Sequence, residues 1–371
     1  MDIMAAIARE AHGDFSVETV QIETPRPNEV RVRIAGVGLC HTDLVARDQF
    51  IPIPLPAVLG HEGAGIVEAI GSAVTKVQVG DAVVIGFSSC GHCARCDEHL
   101  PSYCRDFPML NYTGARPDGS SGLSLGEQRL SASFFGQSSF ASHALAHERN
   151  VVRVDAQGIA LETLGPLACG LQTGAGAVMR SMACPPGSSI AIFGGGPVGL
   201  AAVMAAVIRA CATIILVEPI ASRRAMALEL GATHVIDPAS GPASEDISAA
   251  IRAILPDGVD FALETSGRET VVEAARASLA SHAMLGLVGV PPRPESSIAI
   301  NLASVITYGH RIIGIVEGDS DLDSFIPELL ALHRAGRFPF DRLIATFPLA
   351  EINAAVVAQH EGGCIKAVLL P

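Results

Sequence analysis

Basic residues are in short supply. Only 25 Lys and Arg stand against 38 Asp and Glu, a formal net charge of -13, and no Lys/Arg block offsets it. A nucleic-acid backbone would be repelled by such a chain. Tryptophan is missing and aromatic residues make up 4% of the sequence, so no interfacial aromatic belt frames an apolar run. One stretch, residues 187–208, is uncharged and long enough to be mistaken for a membrane span. Gly194, Gly195, Gly196, Pro197 and Gly199 break it, and it reads as a strand, a glycine turn and a helix. The N-terminus lacks a basic start followed by a long apolar core, so no signal peptide is expected. Tandem repeats and low-complexity tracts are also lacking. What remains is a globular chain of 371 residues, 49% hydrophobic and 17% charged, long enough for two or more domains with their own cores. A cytoplasmic location is expected.

Cysteine is the residue whose placement says most. There are nine, an odd count, and Cys90, Cys93, Cys96 and Cys104 fall within fifteen residues in a C-x2-C-x2-C-x7-C pattern. Zinc takes four soft ligands in a tetrahedron, and short spacings let one loop wrap around it. A local disulfide knot is the other reading of the same spacing. The odd count and the clustering suit a reducing compartment. Four thiolates close the coordination sphere, so such a site holds structure, and chemistry has to be sought elsewhere. His92 and His99 sit among these thiols, but four cysteines already complete a tetrahedron, which leaves the histidines a surface role.

Residues 1–150 read as mostly β, with short runs such as 30–34 and 82–85 between Gly, Pro and Asp turns. Residues 105–140 are polar and glycine-rich and read as a long surface excursion. Near residue 178 the pattern changes to alternating strands and helices: strands at 190–193, 213–217, 259–264, 283–288 and 311–315, helices at 199–210 and 222–230. That alternation predicts right-handed crossovers and a parallel sheet. A helix over 322–335 and two short strands follow.

The run Gly194-Gly195-Gly196-Pro197-Val198-Gly199 contains G-x-G-x-x-G. It follows a strand and opens a helix, and Glu218 ends the next strand nineteen residues after Gly199. In that setting Gly194 permits the tight turn, Gly196 lets a pyrophosphate approach the backbone, and Gly199 lets helix pack on strand. Glu218 would accept hydrogen bonds from the adenosine ribose and repel a 2′-phosphate, favouring NAD over NADP. Arg223 and Arg224 soften that preference. A glycine turn in an ordinary α/β unit is the plainer alternative.

Three further stretches carry metal-ligating or proton-handling side chains: Gly38-Leu39-Cys40-His41-Thr42-Asp43, Gly60-His61-Glu62-Gly63-Ala64-Gly65 and Pro166-Leu167-Ala168-Cys169-Gly170. Singly, each cysteine reads as a small buried residue and the histidine as a hydrogen-bonded filler. Cys184, Cys211 and Cys364 read as packing residues.

Gly60-His61-Glu62-x-x-Gly65-x5-Gly71-x2-Val74 resembles the signature of zinc-containing alcohol dehydrogenases of the medium-chain dehydrogenase/reductase superfamily. So does the order of Cys-x-Thr-Asp, Gly-His-Glu, the four-cysteine lobe, a Cys-Gly and the glycine fingerprint. The likeness covers essentially the whole chain, and within the family the chain most resembles aryl-alcohol (benzyl alcohol) dehydrogenases, on overall similarity that includes Asn111-Tyr112-Thr113-Gly114-Ala115-Arg116. It implies a GroES-like β-rich catalytic domain over 1–178 and 315–371 and a Rossmann doubly wound domain over 179–314. It implies two zinc ions and NAD. Cys40, His61 and Cys169 would ligate the catalytic zinc, with Glu62 behind it as an alternative ligand. Cys90, Cys93, Cys96 and Cys104 would hold the structural one. Asp43 would fix the His61 tautomer, and Thr42 would take the proton of the alcohol. Thr173 would pack beside the nicotinamide and Val288 would hold its carboxamide. His41 and Lys366 would touch the pyrophosphate.

The implied reaction is oxidation of a primary aromatic alcohol to its aldehyde, with hydride passed to the nicotinamide. The substrate is a small molecule, and neither a nucleic acid nor a membrane is expected as a partner. A homo-oligomer, a tetramer by analogy, is expected. Aliphatic or terpenoid alcohols and glutathione-bound formaldehyde are the rival substrates. Zinc-free enone reduction is a rival mechanism, and a nucleotide-binding regulator with only a structural zinc is a rival of another class. One position departs from the family: many members carry a histidine that ends the proton relay five residues after the first cysteine ligand, and here that residue is Val45.

Overall fold

The computed structural model describes residues 1–239 and 246–371. The chain separates into two compact units, one of Met1–Gly170, Ser320–Ala331 and Asp341–Pro371, the other of Leu171–Asp319 and Leu332–Phe340. Residues 171–178, 315–319 and 332–340 thus fall in the second unit, whereas 1–178 and 315–371 were expected in the first; the helix Gly170–Gly176 runs on without a break into a further helical turn, Ala177–Ser181.

The first unit is β-rich and GroES-like. One sheet runs Ala57–Val58, Asp2–Ala8, Phe15–Ile22, Leu123–Leu125, Gln128–Arg129. The other runs Val151–Arg153, Ala82–Ile85, Gly63–Ile70, Glu29–Gly38, Lys366–Leu370, Ile344–Pro348, with His143–His147 also paired to Glu29–Gly38. The strand Glu29–Gly38 shows why: Val30, Val32 and Ile34 are buried while Arg31 and Arg33 point outward, the period-two alternation of a half-covered sheet. Lys366–Leu370 lies antiparallel to it, with Val368 opposite Gly38, so the C-terminal strand delivers Lys366 next to the start of the Cys40 segment.

The second unit holds a six-stranded all-parallel sheet in the order His234–Ile236, Thr213–Val217, Ser189–Phe193, Val259–Glu264, Leu279–Leu287, Arg311–Gly314. Counted in chain order this is 3-2-1-4-5-6, the Rossmann arrangement. Ile190 to Phe193 are all buried, as expected for a strand covered on both faces. The helix Pro197–Ile208 is buried over most of its surface, which is why its sequence carries no polar stripe. Arg311–Gly314 is an edge strand, and near it Leu302 and Ile306 are 72% and 79% exposed.

The reading of 105–140 as a surface excursion is corrected. Phe107, Asn111, Phe134 and Phe135 are buried, and the segment supplies a helix, two strands and part of the packing around His61. Its polar and glycine-rich composition concealed buried hydrogen bonding: Asn111 donates to the Ser88 carbonyl at 3.0 Å and accepts from the Ser88 amide at 2.8 Å. Among the described residues no helix is long and apolar enough to cross a membrane.

Candidate functional site

Cys40 stands at the N-cap of the helix His41–Arg47, where the chain leaves the strand Glu29–Gly38. Asp43 in the first helical turn is wholly buried. Its Oδ2 accepts from the Cys40 amide at 2.9 Å, closing the helix start. Its Oδ1 accepts from the Gly60 amide at 3.1 Å and lies 2.7 Å from Nδ1 of His61. One carboxylate thereby ties two segments together and turns the other ring nitrogen, Nε2, away from itself. That Nε2 is buried and has no hydrogen-bond partner.

The Gly60–Gly63 turn is held from its far side as well. Gln137 donates to the carbonyls of His61 (2.9 Å) and Ile85 (3.0 Å) and accepts from the Gly63 amide (3.1 Å). Phe135 stacks on the His61 ring at 4.4 Å, and Phe134 meets it edge-on at 5.4 Å. Phe135 adopts φ 49°, a left-handed conformation that a bulky residue takes only under constraint. These three residues were missed in the sequence. The Phe-Phe doublet in an aromatic-poor chain was the one available signal.

Cys169 brings its sulfur to 4.0 Å from that of Cys40, and one ligand atom each from Cys40, His61, Glu62 and Cys169 lies within 4.8 Å of the others. Two thiolates on one tetrahedral zinc, each about 2.3 Å from the ion, stand about 3.8 Å apart. Spacing, donor chemistry and the orphaned Nε2 all fit a Cys2His site with an open fourth position. Electrostatics agree. The Cys169 thiol donating to its sulfur, with the His61 charge, holds the Cys40 thiol well below its usual range despite burial. Burial opposes protonation of His61, but the Asp43 and Cys40 charges outweigh it. The cluster is built to surround a cation. Thr42 lies alongside, its hydroxyl 3.8 Å from the Cys40 sulfur. His41 opens the helix on its exposed side, outside the cluster.

Lys366 requires a correction. It was expected at a pyrophosphate, yet its ammonium is 1% exposed, 2.5 Å from Glu62 Oε2, and donates to the Leu39 carbonyl at 2.8 Å. The pairing of Lys366–Leu370 with Glu29–Gly38 points this side chain at the Gly38–Leu39 turn. Gly38 is required there, since a Cβ would stand 1.9 Å from Glu62 Oε2. Burial pushes the Glu62 carboxyl up, against the pull of Lys366. Lys366→Met should cost the fold about 3–5 kcal/mol by stranding a buried carboxylate, and Glu62→Gln in the same chain should restore most of it. Because a carboxyl with a raised pKa binds its proton more tightly when folded, the single variant's deficit should grow as pH rises above the ordinary carboxylate range. Urea unfolding of the zinc-loaded chain at two pH values checks this. A double variant no more stable than the single one would contradict it.

The four clustered cysteines also converge. Cys90 and Cys96 sulfurs are 4.0 Å apart, Cys93 and Cys96 3.6 Å, Cys93 and Cys104 4.0 Å. Amides of Cys90, Gly91 and Arg105 point at the Cys104, Cys96 and Cys93 sulfurs. The Arg105 and Cys96 amides bring the Cys93 thiol down to about 6, while burial pushes Cys104 up to about 12. Four sulfurs at this spacing suit a tetrahedral cation, whose charge would offset their ionisation. His92 bonds the Cys90 carbonyl and His99 pairs with Asp321, both on the surface. A cavity of about 720 Å³ in the first unit is bordered by Cys90 and Gln137, but by none of Cys40, His61 or Cys169.

In the second unit the fingerprint glycines behave as their spacing demands. Gly194 has φ 106°, a Cβ on Gly199 would stand 1.8 Å from the Gly194 carbonyl oxygen, and a Cβ on Gly196 would meet nothing within 4 Å. The open face at Gly196 adjoins the start of the helix Pro197–Ile208, where a phosphate is favoured. Glu218 is buried, and its carboxylate accepts from the Gly195 amide at 2.5 Å and the Ile220 amide at 2.8 Å. Arg224 donates to the Glu218 and Pro219 carbonyls and pairs with Asp237 at 3.0 Å. Arg223 is half-buried beside it. Thr173 is buried in the helix Gly170–Gly176, its hydroxyl 3.4 Å from Glu317. Val288 follows the strand Leu279–Leu287 and donates its amide to the Glu264 carbonyl at 2.9 Å.

Comparison with known proteins gives likenesses along both units. Residues 26–156 match the alcohol dehydrogenase GroES-like domain, and residues 197–332 match the zinc-binding dehydrogenase family. The chain is 46% identical over 367 residues to the geraniol dehydrogenase of Castellaniella defragrans, covering 99% of this chain and 97% of that protein. An alcohol dehydrogenase zinc-binding domain protein from Burkholderia ambifaria superposes with a TM-score of 0.96 at 48% identity, over 100% of this chain and 99% of that one. The benzyl alcohol dehydrogenase of Acinetobacter calcoaceticus superposes with a TM-score of 0.95 at 40% identity, over 100% and 99%.

Proposed function

The chain belongs to the zinc-binding medium-chain alcohol dehydrogenase family, and from that membership we propose that it oxidises primary alcohols whose carbinol carbon adjoins an unsaturated carbon, with NAD as hydride acceptor. The zinc-dependent alcohol dehydrogenase activity and the use of a nicotinamide dinucleotide come with the family. The observation that carries the chemistry is the buried, unpartnered Nε2 of His61 facing the Cys40 and Cys169 sulfurs. Two relatives support the substrate class. One is named for benzyl alcohol and one for geraniol, a benzylic and an allylic alcohol whose aldehydes are both conjugated. An aryl alcohol and a terpenoid alcohol are therefore equal candidates.

In this reading Cys40, His61 and Cys169 hold a catalytic zinc, and Cys90, Cys93, Cys96 and Cys104 a structural one, two per chain. The bound metal would lower the pKa of the alcohol hydroxyl toward neutrality and so prepare the carbinol carbon to release hydride. The protein residues do the rest. Asp43 keeps the proton on Nδ1 of His61 and leaves Nε2 as a lone-pair donor. Thr42 receives the hydroxyl proton and passes it on. With Val45 in place of a relay histidine, the proton leaves through His41, the cofactor ribose with water, or Thr42 alone. Thr173 and Val288 flank the nicotinamide, and Glu218 takes the adenosine ribose.

Steady-state kinetics test the substrate class. Benzyl alcohol and geraniol should each show kcat/KM at least ~10-fold above cyclohexylmethanol and the fully saturated geraniol analogue, about 1.4 kcal/mol of transition-state stabilisation. Saturated alcohols turned over equally well would remove this substrate reading and leave the dehydrogenase intact. Metal analysis of the same preparation should find two zincs per chain, and light scattering a homo-oligomer. The exposed apolar residues Leu302 and Ile306 near the edge strand Arg311–Gly314 support the latter.

A further inference from the structure

Two of the cysteines read as packing residues meet in the folded chain. Cys184 lies in the turn before the strand Ser189–Phe193, and Cys211 in the turn before Thr213–Val217. These strands are parallel neighbours with Ser189 opposite Thr213, so their entry turns lie side by side. The turns are laced together. The Gly187 amide donates to the Ala210 carbonyl and the Ala212 amide to the Ser188 carbonyl, each at 2.8 Å, and Arg209 Nε donates to the Cys184 carbonyl at 2.8 Å. The Ser188 hydroxyl donates to the carbonyl of Pro185, the residue after Cys184, at 2.7 Å and is 3.5 Å from the Cys211 sulfur, so the two cysteines lie on adjoining turns around one hydroxyl. Cys184 is fully buried and Cys211 partly open to solvent.

We propose that Cys184 and Cys211 form a reversible, peroxide-sensitive thiol pair, in which Cys211 is the attacking sulfur, Cys184 the resolving one, and the product a disulfide that staples the two turns. The roles follow from access and charge. Only Cys211 is reachable from solvent. The Cys184 thiol donating to its sulfur, helped by Ser188 and the Arg209 charge, outweighs burial and pulls the Cys211 thiol down, which favours the thiolate. The neighbouring Cys211 sulfur and burial push the Cys184 thiol up.

The chemistry balances with a hydroperoxide as oxidant. The Cys211 sulfur attacks one peroxide oxygen, the O–O bond breaks, and the departing hydroxide takes a proton to become water. The Cys184 sulfur then attacks the resulting sulfenic acid, an S–S bond forms as the S–O bond breaks, and the Cys184 proton leaves with the hydroxyl as a second water. Two thiols lose two electrons and one peroxide gains them. Having a resolving partner at hand protects Cys211 from irreversible overoxidation.

The pair sits at the amino ends of two strands whose carboxyl ends carry Gly194 and Glu218. Five residues of strand, about 16 Å, separate the two levels. Forming the disulfide should leave NAD affinity within ~2-fold of the reduced protein.

Peptide mapping tests the proposal on the zinc-loaded full chain. After brief exposure to equimolar hydrogen peroxide at neutral pH, alkylation and trypsin digestion without reductant, fragments 181–209 and 210–223 should appear joined and lighter by two hydrogens. Dithiothreitol should separate them. Cys211→Ser should leave Cys184 free for alkylation once unfolded. Cys184→Ser should leave Cys211 as a sulfenic acid trapped by dimedone, at several-fold higher yield than in the parent chain. If Cys211 remains unoxidised while the zinc-site thiols react, the idea fails. It also fails if Cys211 links to any cysteine other than Cys184.

Discussion

Cys169→Ala should lower kcat by at least ~10³-fold while changing NAD affinity less than ~2-fold, and zinc should fall from two to one per chain. The argument is electrostatic. Two thiolates and one neutral imidazole balance a divalent cation and hold it with its fourth position open. Without Cys169 the set keeps one sulfur and one nitrogen, while Glu62, the nearest substitute, is paired with Lys366 at 2.5 Å and accepts from the Gly170 amide at 3.3 Å. The metal supplies several kcal/mol of charge stabilisation in such reactions, and about 4 kcal/mol is a factor of ~10³. The glycine turn and Glu218 belong to a different unit, so cofactor binding should survive. Metal analysis with calorimetric titration of NAD decides the matter. If the variant keeps both zincs and loses NAD binding, Cys169 serves the cofactor and the metal assignment is wrong.

Glu218→Ala should weaken NAD by ~10–100-fold and reverse or abolish the preference over NADP. A hydrogen bond to a charged group is worth about 1.5–3 kcal/mol, and this carboxylate is held in place by the Gly195 and Ile220 amides before any ligand arrives. Repulsion of a 2′-phosphate disappears with it. The sequence left room for an arginine to accept that phosphate. The structure ties Arg224 to two carbonyls and Asp237, so it is engaged elsewhere. The ratio of kcat/KM for the two cofactors is the readout, and an unchanged ratio would clear Glu218 of any part in the choice.

Features that depend on neighbours along the chain were legible in advance. The four thiols of the Cys90–Cys104 loop converge because the loop is short. The roles of Gly194, Gly196 and Gly199 follow from a strand, a turn and a helix in immediate succession, and the apolar run 190–193 announced a strand covered on both faces. The segment 105–140 was misread because its composition is that of a surface loop, whereas Asn111, Phe134 and Phe135 are buried by elements contributed from elsewhere. Lys366 was assigned to the wrong partner for a similar reason. Its position in the last strand was clear, but which side chain it would face depends on the register of that strand against Glu29–Gly38.

By itself the sequence determined the Rossmann and GroES-like architecture, the four-cysteine loop, the glycine turn and the donor types available for a second metal, because each of these is written in local spacing or local hydrophobic period. Only the tertiary structure decided that Cys40, His61 and Cys169 share one small volume, that Asp43 and Phe135 orient the imidazole, that Lys366 neutralises Glu62, and that Cys184 and Cys211 lie on adjoining turns. Strand register and long-range packing set those distances, and no short window of sequence encodes either.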